Sequence, residues 1–173
     1  MLVRQFSISS IIFVFVFFIQ ESFINQLRLP GSGFSLLLLI ALIWAALSTA
    51  IVGALSGFIS GFLMDLSQSS SGAMGHWTLI MILACYAVAF LGSGNDNVRG
   101  NPITNIFLVS IASVLTLVAF VITGVLLGVS FGSISQVLIT IVGNGIWALL
   151  VTPLALPVVN KLHRVLFGNQ AHL

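Results

Sequence analysis

The chain has 173 residues, of which 59% are hydrophobic and only 5% charged, with a formal net charge of +2. An ordinary soluble domain carries roughly 25% charged residues, and five Lys/Arg with three Asp/Glu cannot cover a water-exposed surface. These figures exclude a soluble globular domain, a disordered chain and a disulfide-rich secreted module. They leave an all-α, polytopic membrane protein embedded in the lipid bilayer, with little mass outside it.

In chain order, the first apolar run occupies 6–24. Arg4 and the core at 11–19 mimic a signal peptide, but Gln20-Glu21-Ser22-Phe23-Ile24 offers no small-x-small cleavage site, so the run is expected to stay as a membrane helix. A loop at 25–33 contains Arg28, Pro30 and Gly31. The next apolar stretch, 34–66, would be roughly 50 Å long as one helix, too long for a single span. Ser48-Thr49 and Gly53 mark a hairpin that divides it into 34–49 and 50–66. A Ser/Gly loop follows, and His76-Trp77 open a fourth span at 76–91. A polar loop, 92–101, leads to a fifth span at 104–128 and a last at 135–159, with 160–173 as a short basic cytoplasmic tail. Six spans place Arg4, Arg99, Lys161 and Arg164 on the cytoplasmic side and only Arg28 outside, as the positive-inside rule requires. Five spans is the alternative count.

The basic residues are scattered, which removes the electrostatic basis for nucleic-acid binding. Cys85 stands alone in an apolar run and reads as a small buried hydrophobe. Catalytic constellations are missing: apart from Glu21 at the end of the first run there is one acid within the predicted spans, no nucleophile with a positioned base, and no phosphate-binding loop. No enzymatic activity, metal or cofactor is expected.

Gly53, Gly57, Gly61 and Asp65 recur every four residues and therefore share one ridge of a helix. Three glycines in register lower helix propensity. In a membrane they let two helix backbones touch, so that dispersion replaces the missing hydrophobic drive. The ridge packs either on a helix of the same chain or on a partner's helix. A carboxylate inside the bilayer is costly, so Asp65 needs a role: a cap for the following helix, an anchor for the next loop, or a proton site. With no chain of titratable groups in the spans to form a relay, the structural role is preferred. His76 reads as a polar interfacial residue beside Trp77, after Gly72 and Gly75. In the last span Asn144 can hydrogen-bond across helices, and Pro153 and Pro157 are expected to break or kink it.

The run Gly53-Ala-Leu-Ser-Gly57-Phe58-Ile-Ser-Gly61-Phe-Leu-Met-Asp65-Leu66 resembles the G-x-x-x-G-F-x-x-G-x-x-x-D-L signature of the rod shape-determining MreD family. Gly72-Ala-Met-Gly75-His76-Trp77 resembles that family's turn into the next span, with Tyr86 and Gly92 near its end. Leu29-Pro30-Gly31 resembles an early break, and Asn144, Pro153 or Pro157, Lys161 and Arg164 resemble the last span and tail. Phe34-Ser35 stand where the family often has Pro-Asp. The resemblance implies a non-enzymatic scaffold in the bacterial cytoplasmic (inner) membrane. It would dock an MreC-like single-span protein and, through the complex, a RodA-type glycosyltransferase, a class B penicillin-binding transpeptidase and MreB filaments during lateral peptidoglycan synthesis. The implied fold is that of substrate-binding S components of transporters. The competing expectation is a small-molecule-binding or transport subunit with a cavity lined by Asp65, His76 and Asn144.

Overall fold

The computed structural model describes residues 2–24, 35–67, 73–93 and 101–167. Among these there are six α-helices and no strand: α1 (Leu2–Ile19), continued by a π-helical turn (Gln20–Ile24), α2 (Leu36–Leu47), α3 (Ala50–Leu66), α4 (His76–Ser93), α5 (Pro102–Leu126) and α6 (Ile134–Phe167). The loops around Arg28 and Arg99, and Gly72, lie outside the described residues.

The hairpin expected at Ser48-Thr49 is present. Both residues are extended, and the Ser48 backbone N–H bonds to the Ala45 carbonyl. α2 is therefore only 12 residues long, or about 18 Å. It forms the centre of the bundle, touched by α1, α3, α4, α5 and α6. Leu37, Leu38, Leu39, Leu42, Ile43 and Trp44 are completely buried. A helix apolar on every side belongs inside a protein or a membrane. Phe13 of α1 packs edge-on against Trp44, with ring centroids 6.1 Å apart.

Capping residues set the other boundaries. Asn101 accepts the Ile103 N–H and Pro102 occupies the first helical turn of α5, where no donor is needed. At the far end of α5, Gly128 adopts φ +81°, which favours glycine, and starts the turn into α6.

The last helix departs from expectation in two ways. It is not broken at Asn144, Pro153 or Pro157 but runs unbroken from Ile134 to Phe167. Both prolines are exposed on its outer side. The segment taken as a tail from residue 160 is helical through Phe167, so Lys161, His163 and Arg164 ride on α6.

Among the described residues, three helices are long and apolar enough to cross a membrane: His76–Ser93, Pro102–Leu126 and Ile134–Leu166. The bundle's exterior is apolar, with Phe15, Phe18, Leu83, Phe90, Ile111 and Leu150 exposed, while Ser56, Ser60, Asn105, Ser113, Asn144 and Thr152 are buried. That distribution suits a hydrocarbon solvent.

Candidate functional site

The glycine ridge is closed against α4 of the same chain. A Cβ placed on Gly53 would lie 2.5 Å from the Ala89 Cβ and 2.8 Å from the Cys85 carbonyl oxygen. One on Gly57 would lie 2.9 Å from the Ile82 Cα and press on the Met81 carbonyl, and one on Gly61 would lie 2.6 Å from the Thr78 Cα. As the ridge climbs four residues, its α4 neighbour falls by about four, the register of an antiparallel pair. No real side chain fits at these separations, so even alanine forces the two backbones apart. Ser56 and Ser60, buried beside the ridge, donate to carbonyls of their own helix, Gly53 and Ser56 at 2.7 and 2.8 Å, so the seam holds no unmet hydroxyl there. At the other end of α4, Gly92 brings the chain close to the Ala46 carbonyl of α2.

One more step of four along the ridge lands on the N-terminus of α4, and Asp65 stands there. Its Oδ1 accepts the Trp77 N–H at 3.0 Å. Its Oδ2 accepts the Thr78 N–H at 2.9 Å and the Thr78 hydroxyl at 2.5 Å. The first-turn N–H groups of a helix have no intrahelical acceptor and form the positive end of its dipole. A carboxylate from the preceding helix meets both needs, so among the roles open to Asp65 the geometry is that of the cap. Gly75, at φ +90°, supplies the left-handed turn that leads into α4.

The same device recurs nearby. Gln20 Oε1 accepts the Leu37 N–H at 2.8 Å and the Ser35 hydroxyl at 3.2 Å, capping α2. Glu21 accepts the Ser67 hydroxyl at 2.5 Å and ties the end of α1 to the end of α3. Gln20, Glu21, Asp65 and the start of α4 thus share one end of the bundle.

His76 turns inward at the start of α4. It is buried, and its ring stacks on Phe120 with centroids 4.3 Å apart. Trp77 stacks on the same ring at 3.9 Å, and Phe131 approaches it edge-on at 5.7 Å. Thr123 Oγ1 lies 2.6 Å from His76 Nε2 and donates its own proton to the Ala119 carbonyl at 2.6 Å. Nδ1, on the other side of the ring, is buried without a hydrogen-bond partner. The rings fix the N-terminus of α4 to the end of α5 and to the turn before α6.

The remaining residues lie apart. Phe58 and Leu66 of the signature are exposed, and Phe58 stacks with Phe62 at 6.3 Å on the outer face of α3. Asn144 is buried on α6, with its Oδ1 lacking a partner. Asp65, His76 and Asn144 line neither the groove of about 320 Å³ between α4 and α5, nor that of about 370 Å³ between α5 and α6, nor the cleft beside Phe131. Among the described residues no three His, Cys, Asp or Glu gather as metal ligands.

Sequence reasoning missed Gln20, the Phe120–Thr123 platform and a second cluster at the opposite end. There His163 of α6 packs edge-on against Trp44 at 5.1 Å, with Nε2 3.3 Å from the Ser48 hydroxyl. A glutamine at the end of an apolar run was the available signal for the first; the others are long-range contacts. No protein-family model, curated protein or solved structure matches the chain.

Proposed function

We propose that the chain is a non-enzymatic scaffold of the MreD type in the bacterial inner membrane, with six spans, both termini cytoplasmic and an S-component-like bundle. The observation that carries this reading is how the signature run is used. Gly53, Gly57 and Gly61 close the α3–α4 hairpin and Asp65 caps it, so the signature's least replaceable residues build a rigid element and leave no group free for chemistry. The other residues of the run, Phe58 and Leu66, face outward with Phe62. In this reading a single-span MreC-like anchor docks on that stripe, beside the seam instead of on it, and the hairpin's rigidity fixes its angle. The glycosyltransferase, the transpeptidase and MreB filaments join through that partner.

Co-expression with the MreC-like protein of the same organism tests it. Wild type should co-purify with that protein, Phe58→Ala/Phe62→Ala should lose it while keeping its melting temperature, and Gly57→Leu should lose both. Undiminished capture by the phenylalanine variant, or none by wild type, overturns the proposal.

A further inference from the structure

Charge is divided between the two ends of the bundle. Glu21 and Asp65 stand at the end where α4 begins, engaged with Ser67 and with the first turn of α4. Lys161 and Arg164 stand at the other end, on the last turns of α6, where both are exposed. Neither has an ion-pair partner among the described residues.

The turn that carries them is fixed. His163 lies on the side of α6 that meets α2, against the Trp44 ring and the Ser48 hydroxyl. At 100° per residue, Lys161 then faces away from the bundle and Arg164 lies on the flank of the helix, both exposed. Lys161 also continues an exposed apolar stripe, since Leu154, Val158 and Val165 are 74%, 66% and 73% exposed and share its side of the helix. Cations set in an apolar stripe suit a lipid surface; an acidic protein surface in water would be met by polar neighbours.

Length sets the depth of the pair. α6 opens with Ser135 and Gln136, so its apolar face starts near Val137. A span of about 20 residues from there ends near Leu156. Lys161 lies about 8 Å further, at the outer edge of the polar zone of about 5–8 Å that flanks the hydrocarbon on each side, and Arg164 about 12 Å further, just beyond that zone.

From this arrangement we infer that Lys161 and Arg164 bind the phosphate of an anionic phospholipid headgroup, with His163 as the positioning residue that fixes the turn carrying them. The inference rests on α6 crossing the membrane and is independent of the scaffold role.

The test uses the full chain purified in neutral detergent, with thermal unfolding followed as phosphatidylglycerol, phosphatidylcholine or inorganic phosphate is added. Phosphatidylglycerol should stabilise the protein and phosphatidylcholine and inorganic phosphate should not. The apparent affinity for phosphatidylglycerol should fall about fivefold in Lys161→Gln or Arg164→Gln and about thirtyfold in the double variant. Should the double variant not fold, the single variants and suppression of the wild-type response by salt carry the test. Equal stabilisation by both lipids, an equal response to inorganic phosphate, or an undiminished response in the variants overturns the inference. A chain that stays soluble and folded without detergent would instead overturn the membrane reading beneath it.

Discussion

Replacing Asp65 by asparagine tests the cap in isolation, because the side chain keeps its size and loses its charge. Three donors face the carboxylate: the Trp77 N–H, the Thr78 N–H and the Thr78 hydroxyl. Asparagine offers one acceptor oxygen and turns an NH2 group toward the remaining donors. Each hydrogen bond to a charged acceptor contributes about 1.5–3 kcal/mol, and the carboxylate's interaction with the helix dipole about 0.3–1 kcal/mol. With the amide oxygen in the place of Oδ2, which holds both Thr78 bonds, the Trp77 bond and the charge are lost, so the expected destabilisation is about 2–4 kcal/mol. For a chain of this length that lowers the melting temperature by about 5–15 °C. Thermal unfolding in detergent reads the loss, and amide hydrogen exchange at Trp77 and Thr78 locates it, since those two amides should lose protection before the middle of α4 does. A melting temperature within about 1 °C of wild type, with protection at both amides intact, would refute the cap and return Asp65 to the proton-site alternative.

The other expectations concern the seam, the ring stack and the proline helix. Gly57→Ala should destabilise by about 1–3 kcal/mol through overpacking, read by chemical or thermal unfolding, and should do so far more than Phe58→Ala on the exposed side of the same helix. Thr123→Val should cost about 1–3 kcal/mol by leaving His76 Nε2 buried without its hydrogen-bond partner, whereas Thr123→Ser should be near neutral in the same assay. Pro153→Ala should raise the melting temperature by a few degrees, because α6 is already helical there and alanine returns an N–H to the Leu149 carbonyl.

What the sequence disclosed was local. The period of four in Gly53, Gly57, Gly61 and Asp65 is a one-helix pattern, and it marked the face that packs. The Ser48-Thr49 break showed because both residues are small and polar within a long apolar stretch. The identity of the opposing helix was not legible, because period alone does not say whether the close neighbour belongs to the same chain or to another. The ring stack was hidden for a related reason: His76 and Phe120 lie far apart in sequence, and a histidine beside a tryptophan at the start of a span fits an interface as well as an interior. Pro153 and Pro157 misled because proline's missing N–H was weighed without knowing which way it faced. Both stand on the exposed side of α6, and the helix continues through them.

The short central helix raises a question that its caps answer. At about 18 Å, α2 is too short to cross a hydrocarbon layer of about 30 Å exposed to lipid. Backbone that is not helical is tolerated at membrane depth only where protein covers it, so the ends of α2 must be met from within the bundle. They are. Gln20 and Ser35 take the first N–H groups, at Leu37 and Leu38, and the Ser48 hydroxyl bonds to the Trp44 carbonyl at the other end. Gln20 is 6% exposed, so neither water nor lipid headgroup replaces it. Gln20→Leu should therefore destabilise by about 1–3 kcal/mol, the penalty for a buried donor left unpaired, while Gln20→Glu, which keeps the acceptor oxygen, should lose less. Unfolding measurements on the two variants decide the matter. If leucine proves as stable as glutamine, the Leu37 N–H has found another acceptor, and α2 ends at a depth where water reaches it.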